Sequence, residues 1–281
     1  GAVLRKRTVI GLSVLALAIA AALATAWLVC TDAGSRLAVT ALFRLMPVTV
    51  EADRITGQLA RGMTVEGLRV AWPSGEARVE SVQLRLQVLH LAIASVWLDA
   101  VDVRGVVIDA EGPGSAPPYD LAWPQAPRLV AALSGGIREL RVVDVVYRRP
   151  GKDAAVVHDA RAEVSWGRGS VLAVRDLAIR LPYATAEGRV QAGFLFPSLQ
   201  ADLEVRSDRA DEAFDALALK ADVAAGKDPE QLSGPVSLTV SSGGRTQFRL
   251  DGVMGLTRKA LHVRNLQVTD GEGTVFVTAE G

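Results

Sequence analysis

Residues 65–70 read VEGLRV: Val65, a spacer, Gly67, then Leu68 and Val70 on either side of Arg69. Generalised as valine, any residue, Gly/Asp/Asn, large apolar, any residue, large apolar, the phrase returns as VRGVVI (103–108), VVDVVY (142–147), VRDLAI (174–179) and VRNLQV (263–268). Side chains of a strand alternate between faces, so residues three or five apart point opposite ways. The valine and the two later apolar residues share a face only if the chain resets its phase between them. Gly, Asp and Asn best tolerate left-handed backbone. A bulge or tight bend is therefore expected at Gly67, Gly105, Asp144, Asp176 and Asn265. It would bring Leu68 and Val70, Val106 and Ile108, Val145 and Tyr147, Leu177 and Ile179, and Leu266 and Val268 onto one apolar face. The alternative is a turn between two short strands at each position. Both give a sheet that bends repeatedly and keeps one apolar face continuous.

Two-residue alternation dominates beyond Pro47. It is clearest at Val82-Gln-Leu84-Arg-Leu86-Gln-Val88, with an aliphatic and a polar face. Similar runs at 101–108, 140–147, 172–181, 236–240 and 261–268 predict strands. The first three copies of the phrase start 38 and 39 residues apart, then the spacing becomes 32 and 89, a loose repeat of one supersecondary unit. The fold class is mainly β. Helix signals are few: 35–46, a short stretch around Asp208 to Leu219, and Arg128 to Leu133 after the proline-rich run 112–127. With so little to cover it, the aliphatic face either closes on itself as a sandwich or barrel, or stays open as a groove for an apolar ligand.

Between Val9 and Val29 there are 21 residues without a charge, enough for a membrane-spanning helix, preceded by Arg5, Lys6 and Arg7. The chain is thus expected to have a cytoplasmic tail (1–8), a transmembrane anchor (9–29), a membrane-proximal amphipathic helix (30–47) and an exported β part (48–281). A cleaved signal peptide is the competing reading, with small-x-small sites at 22–24 and 24–26. In the segment after the anchor, Ser35 is the expected helix N-cap and Pro47 the stop. That helix either lies on the membrane or packs on the core. The chain starts at Gly1 and stops at Gly281 just after a strand-like run, so a longer parent protein is expected.

Composition and motifs narrow the function classes. Lys+Arg and Asp+Glu balance at 31 each, without a basic block, which argues against a nucleic-acid partner. The single cysteine, Cys30, permits no internal disulfide. His90, His158 and His262 are scattered without metal-ligand spacing. There is no nucleophile elbow, Walker loop or dinucleotide fingerprint; Gly167-Arg-Gly169 and Gly271-Glu-Gly273 read as turns. No catalytic residue, metal or cofactor is indicated, and the expectation is a non-enzyme.

The order of a single anchor, TDAGSRLAVTALFRLMP (31–47), ITGQLARGMTVEGLRVAWPSGEARVESVQLRL (55–86) and VWLDAVDVRGVVI (96–108) resembles the N-terminal part of the TamB family. These are the inner-membrane components of the translocation and assembly module, within the AsmA-like superfamily. The cadence of residues 57–108 is the most specific portion, and a looser likeness continues through 251–268. The resemblance implies a Gram-negative inner-membrane protein whose periplasmic part is a taco-shaped groove. Leu68, Val70, Val82, Leu84, Leu86, Val88, Val106, Ile108, Val145, Tyr147, Leu177, Ile179, Leu266 and Val268 would then line it. It also implies phospholipid passage between inner and outer membranes, or assembly of outer-membrane β-barrel and autotransporter proteins with a TamA-like barrel. Family members are much longer and carry a C-terminal domain that this sequence lacks, so partner docking does not transfer. Without the resemblance, the residues leave open a lipid-conducting groove, a scaffold that adds strands to client proteins, and a hydrolase without a recognisable motif.

Overall fold

The computed structural model describes residues 23–45, 48–73, 75–87, 95–110, 134–167, 171–209, 214–226, 231–257 and 261–279. Strands make up 72% of these, which settles the mainly-β expectation. In chain order the elements are helix α1 (Asp32–Leu45), then strands β1 (Thr49–Glu51), β2 (Arg54–Gln58), β3 (Gly62–Trp72), β4 (Gly75–Leu86), β5 (Ser95–Ala110), β6 (Ser134–Arg148) and β7 (Ala155–Trp166). They continue as β8 (Val171–Arg180), β9 (Ala184–Gly193), β10 (Ser198–Ser207), β11 (Ala216–Ala225), β12 (Leu232–Ser242), β13 (Arg245–Leu256), β14 (Leu261–Asp270) and β15 (Val275–Ala279).

All fifteen strands belong to one open, curved sheet. From β3 onward each strand pairs with the next, antiparallel throughout except for the parallel pair β5–β6. Strands β1 and β2 lie end to end along the same edge of β3. At the start of the parallel pair Ser95, 5% exposed, donates to the Ser134 carbonyl at 3.1 Å.

The five expected reset positions all carry left-handed backbone: φ is 61° at Gly67, 63° at Gly105, 58° at Asp144, 49° at Asp176 and 51° at Asn265. The last three are the non-glycine residues with positive φ among those described. Two geometries occur. At Asp176 and Asn265 the register slips by one residue: Val174 pairs with Val190 but Leu177 with Gly188, and Met254 pairs with Val263 but Leu250 with Val268. Val190 and Gly188 share a face, so Val174 and Leu177 do too. At Gly67, Gly105 and Asp144 the register is unbroken on both sides. There the kinks align, with Gly67 opposite Glu80, Glu80 opposite Gly105, Gly105 opposite Asp144 and Asp144 opposite His158, as the pairs that bracket them require. The first strands bend along one line. A Cβ on Gly67 would meet the Asp53 carboxylate, and one on Gly105 would come within 2.7 Å of Glu80 Cβ, so each glycine is covered by a neighbouring acid.

At the amino end, helical residues 23–30 lead through a bend at Thr31 into α1. Thr31 is the cap, its Oγ1 accepting from the Gly34 N–H at 3.0 Å. Ser35, expected to do this, instead lies one turn inside the helix and is fully buried. Its hydroxyl reaches the carbonyls of Leu28 (3.1 Å) and Val29 (3.2 Å) and accepts the Leu59 N–H at 3.1 Å. The apolar stripe of α1 packs on the sheet: Val39, Met63 and Val65 form a buried cluster against which Phe43, Ala52, Ile55, Leu59, Leu68, Val82 and Leu84 pack. The helix thus packs on the small core at this end of the sheet.

A second correction falls at 208–219. Residues 210–213 lie outside the described residues, but 216–219 open strand β11, which pairs with β10 and β12 on both sides. The expected helix at 128–133, Val88 and His90 also lie outside the described residues, as do residues 1–22 and with them most of the apolar run. Among the described residues no helix is long and apolar enough to cross a membrane.

Candidate functional site on the apolar face

Residues paired across neighbouring strands share a face and stand about 5 Å apart, so the register converts strands into rows running along the sheet. One row passes through Ile55, Val65, Val82, Val103, Val142, Ala160, Ile179, Ala186, Val205, Leu217, Val240 and Phe248, twelve successive strands with an apolar residue at each. At ~4.8 Å per strand this is a path of roughly 50 Å. A second begins at Val50 and runs through Val70, Ala77, Ile108 and Tyr147 to Ala155. A third links Leu68, Val79, Val106, Val145 and Val157. Beyond the Asp176 slip, Leu177, Gly188, Leu203, Leu219, Leu238, Leu250, Val268 and Val277 form a fourth.

The rows hold together because of the resets. Val65 and Leu68 both pack on the helix cluster although three residues separate them. Through the pairing, Val103 with Val106 and Val142 with Val145 inherit the same face. Of the expected lining residues, all but Val88 are described. Leu86 (8% exposed) and Val106 (9%) are buried, Tyr147 is 40% exposed, and the others with described side chains are half-buried. Leu84 joins the packing under α1, so a charge there would disturb the small core rather than the open face.

The opposite face is polar and self-neutralised. Asp102, Arg141 and Arg161 share one row and are tied by Arg104–Asp102 (2.7 Å), Arg141–Asp159 (3.0 Å) and Arg161–Asp159 (2.9 Å). Further along, Asp202 lies between Arg189 (3.4 Å) and Lys220 (4.0 Å), lining a shallow polar depression together with Asp222 and Gln200. The Arg104 hydrogen bond leads the causes holding the Asp102 carboxyl below its ordinary value. For Asp159, burial pushes the carboxyl up, but hydrogen bonds and charge from Arg141 and Arg161 together outweigh it, so the net shift is downward. These are sheet-face ion pairs, and His158 lines the same depression as Arg141, Asp159 and Arg161.

Among the described residues no three His, Cys, Asp or Glu side chains gather as a metal would require. Cys30 is exposed and free, and His158 and His262 sit in strands β7 and β14. Compared with protein-family models and with curated proteins, the chain matches none. Sequence reasoning found the faces and the reset residues. It missed the long-range alignment of rows, which depends on hairpin register, and the place of Glu80 opposite both Gly67 and Gly105, where VESVQL repeats the rhythm without Gly, Asp or Asn.

Proposed function

We propose that this chain belongs to the TamB/AsmA-like type. In this reading it is an inner-membrane-anchored periplasmic protein that conducts phospholipids between inner and outer membranes along a taco-like hydrophobic groove. The observation that carries the reading is the unbroken apolar row from Ile55 to Phe248 on an open sheet. Most of this face has no covering layer among the described residues, since α1 packs only over its first strands. Val223 (1% exposed), Leu232 (3%) and Val240 (7%) are nevertheless buried, in strands far from that helix in the sheet order. An exposed aliphatic strip of this length is unfavourable in water by about 25 cal/mol per Å² and is relieved by an acyl chain. The apolar run 9–29 supplies the inner-membrane anchor in this reading.

The test is a photocrosslinking residue at Leu203 or Leu238 on the apolar face and at Asp202 or Ser237 on the other. The full chain is reconstituted in vesicles of phosphatidylethanolamine and phosphatidylglycerol. Phospholipid should attach at Leu203 and Leu238 alone. Equal capture from both faces defeats the groove. Capture of unfolded β-barrel strands in place of lipid would favour a translocation and assembly role with a TamA-like outer-membrane barrel.

A further inference from the structure

A cleft opens between the C-terminal half of α1 and the first strands, lined by Phe43, Arg44, Val50, Ala52 and Ile55 among others. Ile55 pairs with Val65 and Val50 with Val70, so the cleft floor contains the first members of two apolar rows. An alkyl chain seated there is collinear with the strip that continues through Val82 and Ala77. At the mouth stands Arg44, exposed, in the last turn of α1, forming no ion pair with another described residue. Ser35 pins the first turns of the helix to Leu28, Val29 and Leu59, and Phe43 both packs on the Val39–Met63–Val65 cluster and lines the cleft.

We infer that this cleft is the entry site for a phospholipid drawn from the bilayer, its phosphate on the Arg44 guanidinium and one acyl chain between Phe43 and Ile55. A planar guanidinium suits a phosphodiester, and an apolar slot beside it suits the chain carried by the same molecule. The cleft joins the last turn of α1 to β1 and β2, with Arg44 15 residues in sequence after the end of the apolar run at Val29. The inference rests on the groove reading, and the experiment separates the two.

The full chain is reconstituted in vesicles of phosphatidylcholine and phosphatidylglycerol, with photocrosslinkers at Ile55 and, in a second preparation, at Leu238. Arg44→Glu is expected to lower phospholipid capture at both positions about fivefold, the scale of one exposed ion pair. Arg44→Lys should retain most of the capture. Arg36→Glu, a charge reversal elsewhere on α1, should leave it unchanged. Capture at Leu238 without capture at Ile55, or equal capture by wild type and Arg44→Glu, overturns the entry site and leaves the groove standing. An equal fall in Arg36→Glu also overturns it, by showing a bulk charge effect. Absence of lipid at both positions in the wild type is failure of the groove reading itself. Arg44→Gln replaces any reversal whose melting midpoint has dropped.

Discussion

Asn265 sits mid-strand at φ 51°, a conformation that costs an ordinary L-residue roughly 1–2 kcal/mol and a β-branched one more. Its side chain is exposed, so substitution there isolates the backbone effect. Asn265→Gly should change stability by less than about 1 kcal/mol, while Asn265→Val should cost about 1–3 kcal/mol in denaturant titration. A tolerated valine would mean that the bulge is not required. Gly67→Val should be worse than Asn265→Val, because its Cβ also meets the Asp53 carboxylate. The same scale carries a pH signature. Asp159 has a depressed folded-state pKa, so its contribution is present above the unfolded value near ~3.9 and is lost as pH falls through the lower folded value. Asp159→Asn should therefore lower the melting midpoint at neutral pH, and the difference from wild type should close below about pH 4. The effect is modest, since Arg161 is 57% exposed and exposed pairs are worth under ~1 kcal/mol.

Whole elements were legible wherever period two was strong. The runs at 101–108 and 140–147 fall within β5 and β6, and 172–181 covers β8 from Leu172 to Arg180 and passes its end by one residue. The stretch around 208–219 misled because its alanines and acids favour helix locally. Leu217, Leu219, Ala221 and Val223 nevertheless alternate, and hydrogen bonding to strands on both sides overrides the propensity. In α1 the helix was legible but its start was not. Both Thr31 and Ser35 have the chemistry of a cap, and only the Leu59 N–H, 24 residues away in sequence, claims the Ser35 hydroxyl. Ser35→Ala would leave that part-buried amide without its partner, at a cost of about 1 kcal/mol. Amide exchange should accelerate in α1 and at Leu59 while β9–β12 stay protected. Uniform acceleration throughout the sheet would show that α1 is not a separable cover.

Across the molecule, the sequence patterns report which face each residue takes but not how far a row continues, because register is set by hairpins whose turn chemistry is weakly encoded. The alignment of Gly67, Glu80, Gly105, Asp144 and His158 is likewise a property of pairing, invisible strand by strand. That architecture separates two kinds of apolar position. Met63 is 1% exposed beneath α1, whereas Leu219 is 36% exposed on the open face. Met63→Glu would bury an unpaired carboxylate and should cost several kcal/mol, releasing the helix. Leu219→Glu keeps its new charge partly hydrated, so the melting midpoint should move little while phospholipid capture by a crosslinker at neighbouring Leu238 falls. A Leu219→Glu protein that unfolds as readily as Met63→Glu would mean that β11 and its neighbours form a sealed core, and the open-face reading would fail with it.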